Sequence, residues 1–274
     1  KMVPAGLFLA AALTIPAAPL FAEPPAPTGE VSVSALNRYV WRGYELSRNS
    51  MVVQPAITVG YRGFAAGLWG NLDTRPYAPG ADAHAGSWNE TDLTLSYVRS
   101  LGLLNVGVGY IYYSLAPLNR DAAGRNDSQE IFATVSLNTL LSPTLTVYKE
   151  IDHYRNGYVL FGLSHVFELT PAVSLKLGAT AAYLWSTDPD TYPKFDGDAL
   201  ATTEKFSNFH DGTLSVGLPV KVTDRVTLTP SLSYVFPLSG DAKHEMKGLG
   251  LKGCPPSDRD SAFWVWGIAA GFGF

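Results

Sequence analysis

Apolar and polar residues alternate along most of this chain, in segments about ten residues long that recur from residue 30 onward. A period of two assigns one parity to each face of a strand, so each segment predicts a β-strand with one apolar and one polar side. The first, EVSVSALNRYVWRG, places Val31, Val33, Ala35, Tyr39 and Trp41 on the apolar parity. LNVGVGYIYY repeats the scheme with Val106, Val108, Tyr110 and Tyr112, and VSLKLGATAAYLW with Leu175, Leu177, Ala179, Tyr183 and Trp185. The closing FWVWGIAAGFGF aligns Trp264, Trp266, Ile268, Ala270, Phe272 and Phe274. One segment, GYVLFGLSHVF, is apolar on both parities and leaves its facing open. Roughly twelve segments are present in all.

The connections alternate in length. Links at 62–63, 100–103, 138–144, 168–172 and 223–224 are short, whereas 43–51, 74–87, 114–127, 186–211 and 238–261 are longer and polar, with YRNG at 154–157 as a short exception. An even strand number with short turns at one rim and long loops at the other predicts an all-β fold, a transmembrane antiparallel up-and-down β-barrel of about 12 strands with short periplasmic turns and long extracellular loops. A soluble sheet sandwich would not need that asymmetry and would scatter its aromatics through a core. With the first strand rising from the periplasm, Trp41, Tyr112, Trp185, Tyr234, Phe236, Trp264 and Trp266 fall near the outer rim. Tyr61, Phe64, Tyr97, Phe272 and Phe274 fall near the inner rim, so the apolar parity carries two aromatic belts, as a lipid-facing wall requires.

The opposite parity then lines the lumen, and it carries Arg38, Arg42, Glu90, Asp92, Glu130, Glu150, Asp152, Lys176 and Lys221. Charges at mid-depth on the lipid side would be destabilising, which constrains them to the interior. Asn37 and Lys149 break the rule and imply a bulge or a snorkelling side chain. Gly67, Gly107, Gly109 and Gly178 on the inner parity predict free space inside.

The composition of 274 residues, 46% hydrophobic and 16% charged, lies between soluble and helical membrane proteins. The apolar run after Lys1 reads as a secretory signal peptide, 1–22, with cleavage after Ala22. Residues 23–30 form a Pro-rich periplasmic linker, and 31–274 form the outer-membrane barrel domain of a Gram-negative cell. Three prolines and the shortness of the run disfavour a retained anchor, and no Cys follows it to carry a lipid. The single Cys254 cannot form an internal disulfide and reads as a loop thiol. A net charge of −4 gives no basic footprint for nucleic acid. His84, His165, His210 and His244 are dispersed without metal-ligand spacing, and no cofactor is expected.

Two readings of the inward charges compete. A solvated constriction would set arginines against carboxylates across a pore, and a transverse field would sort small polar solutes. A closed barrel would use the same groups as an internal salt-bridge network. A lipid-modifying enzyme is a distant third, resting on His153 near Ser114 and Ser186 at strand ends. Asp188, Asp190, Asp196 and Asp198 lack the order of a calcium loop and read as a solvated acidic segment.

The stretch from Val31 to Leu72 resembles the opening of the TorF-like putative porins, a family of conserved hypothetical bacterial outer-membrane proteins. The resemblance rests on Tyr39, Trp41, Arg42 and Gly43, on Gly67, Trp69, Gly70 and Asn71, on the pair Tyr112 and Tyr113, and on Glu130, Ile131 and Phe132. It covers 31–185 well and departs at the long insertions 186–211 and 238–261. It implies an outer-membrane barrel with a porin label and names no substrate or catalytic residue. The expected function is a porin-like channel for passive diffusion of small hydrophilic solutes or ions. The alternative is a non-conducting barrel whose extracellular loops or lumen dock a protein partner. Outer-membrane lipid surrounds the wall in either case, and Phe274 would present the closing strand to the barrel assembly machinery.

Overall fold

Each wall strand pairs with its sequence neighbours, and the last pairs with the first, so the sheet closes into a twelve-stranded antiparallel barrel. The strands of this computed structural model are β1 (Thr28–Leu36), β2 (Val52–Tyr61), β3 (Phe64–Asp73), β4 (Ser87–Leu101), β5 (Leu104–Leu115) and β6 (Ser128–Leu137). They continue with β7 (Thr144–Glu150), β8 (Asn156–Glu168), β9 (Ser174–Ser186), β10 (Ser207–Gly217), β11 (Val226–Pro237) and β12 (Phe263–Gly273). One helix, α1 (Gly240–Gly248), follows β11. The structure describes residues 26–47, 50–76, 86–115, 127–152, 154–198, 200–248 and 259–274. The expected leader 1–22, and with it His84, His153 and Cys254, lies outside the described residues. Thr28–Glu30 already belong to β1, so the segment expected as a linker runs into the wall.

Closure is made by β1 against β12, in register from Glu30 opposite Gly273 to Leu36 opposite Gly267. Phe274 and Gly29 exchange backbone hydrogen bonds of 2.9 Å beyond that ladder. The short links follow from turn chemistry. Arg62 (φ 51°) and Gly63 (φ 86°) join Tyr61 to Phe64 with both central residues at positive φ, the turn whose twist matches a hairpin. Gly102 (φ 68°) opens the two-residue link between β4 and β5.

The apolar parity faces outward. Val33, Ile57, Leu68, Val108, Ile131, Val147, Leu214 and Ile268 are exposed, as a wall bathed in hydrocarbon requires. The doubly apolar segment resolves through its neighbour: Val159 and Phe161 lie opposite Val147 and Leu145 on the lipid side, and Tyr158 and Leu160 point inward. At the outer rim Tyr234 packs against Trp264 at 4.8 Å and Phe236 at 5.7 Å. At the inner rim Phe64 meets Tyr97 at 4.6 Å, and Phe272 stacks on Phe274 at 6.4 Å. Tyr61 is exposed beside them, and Trp185, Tyr112 and the exposed Trp266 lie on the outward parity of the upper wall. Trp88 and Phe209 join the upper group, Trp88 because a register shift opposite Asn71 and Leu72 turns it outward.

Val108, 55% exposed, sits mid-strand on β5. Val108→Arg should destabilise the barrel by about 2–4 kcal/mol, whereas Val108→Leu should change it by less than about 0.5 kcal/mol. Equilibrium guanidinium unfolding from lipid vesicles measures both.

Candidate functional site in the barrel lumen

The first strand stops earlier than its alternation suggests. At Asn37 the side chain replaces the continuing ladder, donating from Nδ2 to the Trp264 carbonyl (3.2 Å) and accepting at Oδ1 from the Trp266 amide (2.8 Å). Its place on the outer parity is therefore a strand end and not a bulge. The chain then turns inward and forms a small hairpin, Val40–Trp41 against Tyr44–Glu45. Its turn is again Arg-Gly at positive φ, Arg42 at 48° and Gly43 at 82°.

This hairpin occupies the centre of the outer lumen, because its side chains reach opposite walls. The Arg42 guanidinium donates two hydrogen bonds to Glu130 of β6, Nη1 to Oε1 at 2.8 Å and Nη2 to Oε2 at 2.5 Å. The rings of Trp41, Tyr148 and Tyr158 surround it at 4.7, 4.7 and 4.6 Å, and the Tyr113 hydroxyl donates to Glu130 Oε2 at 2.8 Å. On another side Tyr39 donates to Glu90 Oε2 at 2.8 Å and packs on Trp69 at 5.6 Å. Arg38 pairs with Glu45 at 2.6 Å and lies over the Phe263 ring of β12. Tyr44 accepts from the Tyr192 hydroxyl at 2.7 Å and packs against His210 of β10.

Two further insertions complete the filling. The segment between β9 and β10 carries a second hairpin, Pro193–Phe195 against Ala201–Lys205, and buries Tyr192, Phe195 and Phe206. Helix α1 buries Ala242, Glu245 and Met246. A Cβ added at Gly43 would sit 2.7 Å from Asp211 Cβ and 3.2 Å from the Met246 methyl, so hairpin, wall and helix are in close contact there. Asp211 in turn accepts from the Tyr158 hydroxyl (2.8 Å) and contacts His210 Nδ1 (2.9 Å). Tyr44, Tyr158, Tyr192, Phe206, Ala242 and Met246, with Ile111, Leu184 and Val265, belong to one buried apolar cluster inside the barrel. Burial holds the Tyr44 and Tyr192 phenols protonated, well above their usual range.

The inward charges therefore divide. Arg38, Arg42, Glu90 and Glu130 gather around the hairpin, and Asp92, half-buried, lies two residues from Glu90 on the same face of β4. Arg42 is in contact with Glu130 and Arg38 with Glu45, while Glu90 accepts from Tyr39. Glu150 is buried but accepts from the amides of Asp152 and Arg155, so it orders the link from β7 to β8. Asp152 lies beyond β7, exposed, and accepts from Gln129 on the outer parity, outside the lumen. Lys176 is half-buried on the inner parity of β9. Lys221 is exposed in a short extension at the periplasmic turn and does not reach a constriction. Trp41 is likewise absent from the outer belt, since it stacks with Tyr44 in the lumen. Lys149 snorkels to the Asn156 carbonyl at 3.0 Å. Asp188 takes an ion pair from Arg155, and Asp196 accepts from the amides of Asp198 and Leu200, so this acidic segment orders its own turns.

Each of the inner-parity glycines Gly67, Gly107, Gly109 and Gly178 is flanked closely by a side chain of a paired strand. A Cβ at Gly109 would meet the Phe132 ring at 2.3 Å, and one at Gly178 would meet Ser215 Oγ at 2.6 Å. Toward the inner rim the inner parity carries small, buried polar residues, among them Ser32, Ser96 and Thr229. The residues missed from sequence are Tyr44, Tyr113, Tyr148, Tyr158, Tyr192, Phe206 and the buried face of α1. The inward tyrosines near the outer ends of β5, β7 and β8 were a readable signal: an apolar patch on a lumen wall needs something to cover it.

No protein-family model matches the chain, and no curated protein matches it. Among solved structures, the NanC porin aligns over 88% of this chain and 98% of its own at 10% identity and a TM-score of 0.50. The COG4313 outer membrane channel from Pseudomonas putida F1 aligns over 92% of this chain and 97% of its own, at 14% identity and a TM-score of 0.45. At 10% identity the likeness to the NanC porin concerns the fold, an outer-membrane barrel.

Removing one partner of the Arg42–Glu130 pair leaves the other charge buried. Arg42→Ala should destabilise the protein by about 3–5 kcal/mol, and the double change Arg42→Met with Glu130→Leu should recover most of that loss. The unfolding assay in vesicles measures both variants.

Proposed function

We propose that this protein is an outer-membrane channel of the porin type, related to the TorF-like porins, through which small hydrophilic solutes or ions diffuse once its own loops leave the outer lumen. The observation that carries this reading is the origin of the obstruction. The wall is a twelve-stranded ring, and its outer lumen is filled by a hairpin at 40–45, the segment containing Tyr192 and Phe206, and helix α1, packed on inward wall side chains. A barrel of intermediate width has a lumen that side chains alone do not fill. Loops can leave a lumen without breaking the wall ladder. Assembly through Phe274 and the outer-membrane machinery belongs to the same proposal, supported by the pairing of β12 with β1.

A second reading, a non-conducting barrel whose outer loops dock a protein partner, is favoured by the plug's burial, with Tyr44 at 1% and Met246 at 0% exposure. Planar-bilayer recording separates the two. The expected result is rare opening of the wild type and stable unitary conductance when residues 240–248 are replaced by a short Gly-Ser linker. Silence of both proteins would favour the second reading.

A further inference from the structure

Helix α1 is held in the lumen by one face. Ser239 caps its first turn, its Oγ accepting from the Ala242 amide and its carbonyl from the Lys243 amide, both at 3.1 Å. Asp241 is anchored at the rim, its Oδ1 3.4 Å from Lys194 Nζ and its Oδ2 accepting from Asn208 at 2.9 Å. One turn later on the same side, Glu245 enters the interior beside Ala242 and Met246. Glu245 is 0% exposed, and neither carboxyl oxygen has a hydrogen-bond partner among the described residues.

Among the described residues, the surrounding charges do not compensate a carboxylate at that place. From the hairpin come Tyr44, donor-acceptor partner of Tyr192, and Glu45, which is paired with Arg38. The 187–206 segment brings Tyr192 and Lys194, and Lys194 is engaged by Asp241 and Glu204. β10 brings His210 and Asp211, which contact each other, and β11 contributes Tyr234, which faces outward against Trp264. Arg42 is committed to Glu130, and Arg259 Nε donates to the Glu45 carbonyl. On the helix itself the neighbouring acid is Asp241. An ionised carboxyl there would be desolvated and unpaired, which strongly disfavours the docked helix.

We propose that α1 is a pH-operated latch: it stays in the outer lumen while the Glu245 carboxyl is protonated, and ionisation of that carboxyl releases it. That release opens a path for solutes rests on the channel reading; that release occurs does not. Burial first, and then the Asp241 charge, push the docked Glu245 from 4.5 up to about 9. A group whose value is raised in the docked state favours docking fully below its free value. The docked-to-released ratio therefore falls about tenfold per pH unit between the free value and the docked one, and levels off above it.

Hydrogen exchange of the 240–248 peptide, corrected for the intrinsic base-catalysed rate, measures release on the lipid-embedded protein from pH 6 to pH 10, with bilayer conductance recorded in parallel. The wild type should show release rising about tenfold per pH unit before levelling. Glu245→Gln should remove the rise. Asp241→Asn should keep the slope and move the plateau to lower pH. Exchange in the wild type that is independent of pH, or a slope in Glu245→Gln equal to that of the wild type, would overturn the latch. Release that rises with pH while conductance stays absent would support the latch and overturn the channel reading.

Discussion

A backbone amide or carbonyl in hydrocarbon has no water to bond, so each one on a membrane-crossing wall must find its partner on an adjacent strand. That constraint forces β12 onto β1 and sets the alternation of every segment, because one side of each strand must suit lipid. It also determines what happens inside. Closure with twelve strands makes a ring wider than one whose wall side chains meet at the axis. The interior must then hold water or additional chain. In the outer half it holds chain, and the tyrosines of β5, β7 and β8 supply the surface on which that chain packs.

Placing a hairpin there brings Arg42 into a desolvated position, and the local structure answers each consequence. The positive φ of Arg42 and Gly43 makes the tight turn, and at Gly43 a side chain would collide with Asp211. The guanidinium fork meets both oxygens of Glu130, a geometry that a lysine could not reproduce. Three aromatic faces surround its plane, and cation–π attraction strengthens where water is excluded. The pair is thereby a positional device more than a source of net stability, since two apolar residues of similar shape would fill the same space without desolvating charge. It specifies where the hairpin sits and which way it points.

The wall was legible in the sequence because lipid imposes a strict period of two, and both aromatic belts follow from it. The plug was less legible, and two tetrapeptides show why. Tyr61-Arg62-Gly63-Phe64 reads as a hairpin turn because alternating segments flank it on both sides. Trp41-Arg42-Gly43-Tyr44 has the same aromatic-Arg-Gly-aromatic form, but the alternation running from Val31 absorbs it into the first strand. Parity still sends Arg38 and Arg42 inward, which is correct for the wrong reason: they are inside because the chain turns in, and Trp41 turns in with them. Parity says nothing about depth, so it assigns Lys221 and Asp152 to a lumen that their strand ends do not reach. Glu245 carries no local signal, because its environment is assembled from the hairpin, the 187–206 segment and β10.

The division of labour between wall and loops bears on how selectivity could arise. In a pore lined by wall charges, selectivity is built into the ladder and is as permanent as the barrel. Here the charges nearest the axis belong to, or are paired with, a segment outside the ladder. Arg38 and Glu45 are both on the hairpin, while Arg42 draws Glu130 away from the open lumen. Any movement that frees the hairpin would expose Glu90 and Asp92 on β4 and Glu130 on β6, with β5 between them, and carry the two arginines with the mobile piece. On the proposed channel reading, the wall so exposed would be acidic and its field would favour cations. The hairpin segment carries Arg38, Arg42 and Glu45 and the facing wall Glu90, Asp92 and Glu130, so opening would separate Arg42 from Glu130 and leave the carboxylates of the wall unopposed by it.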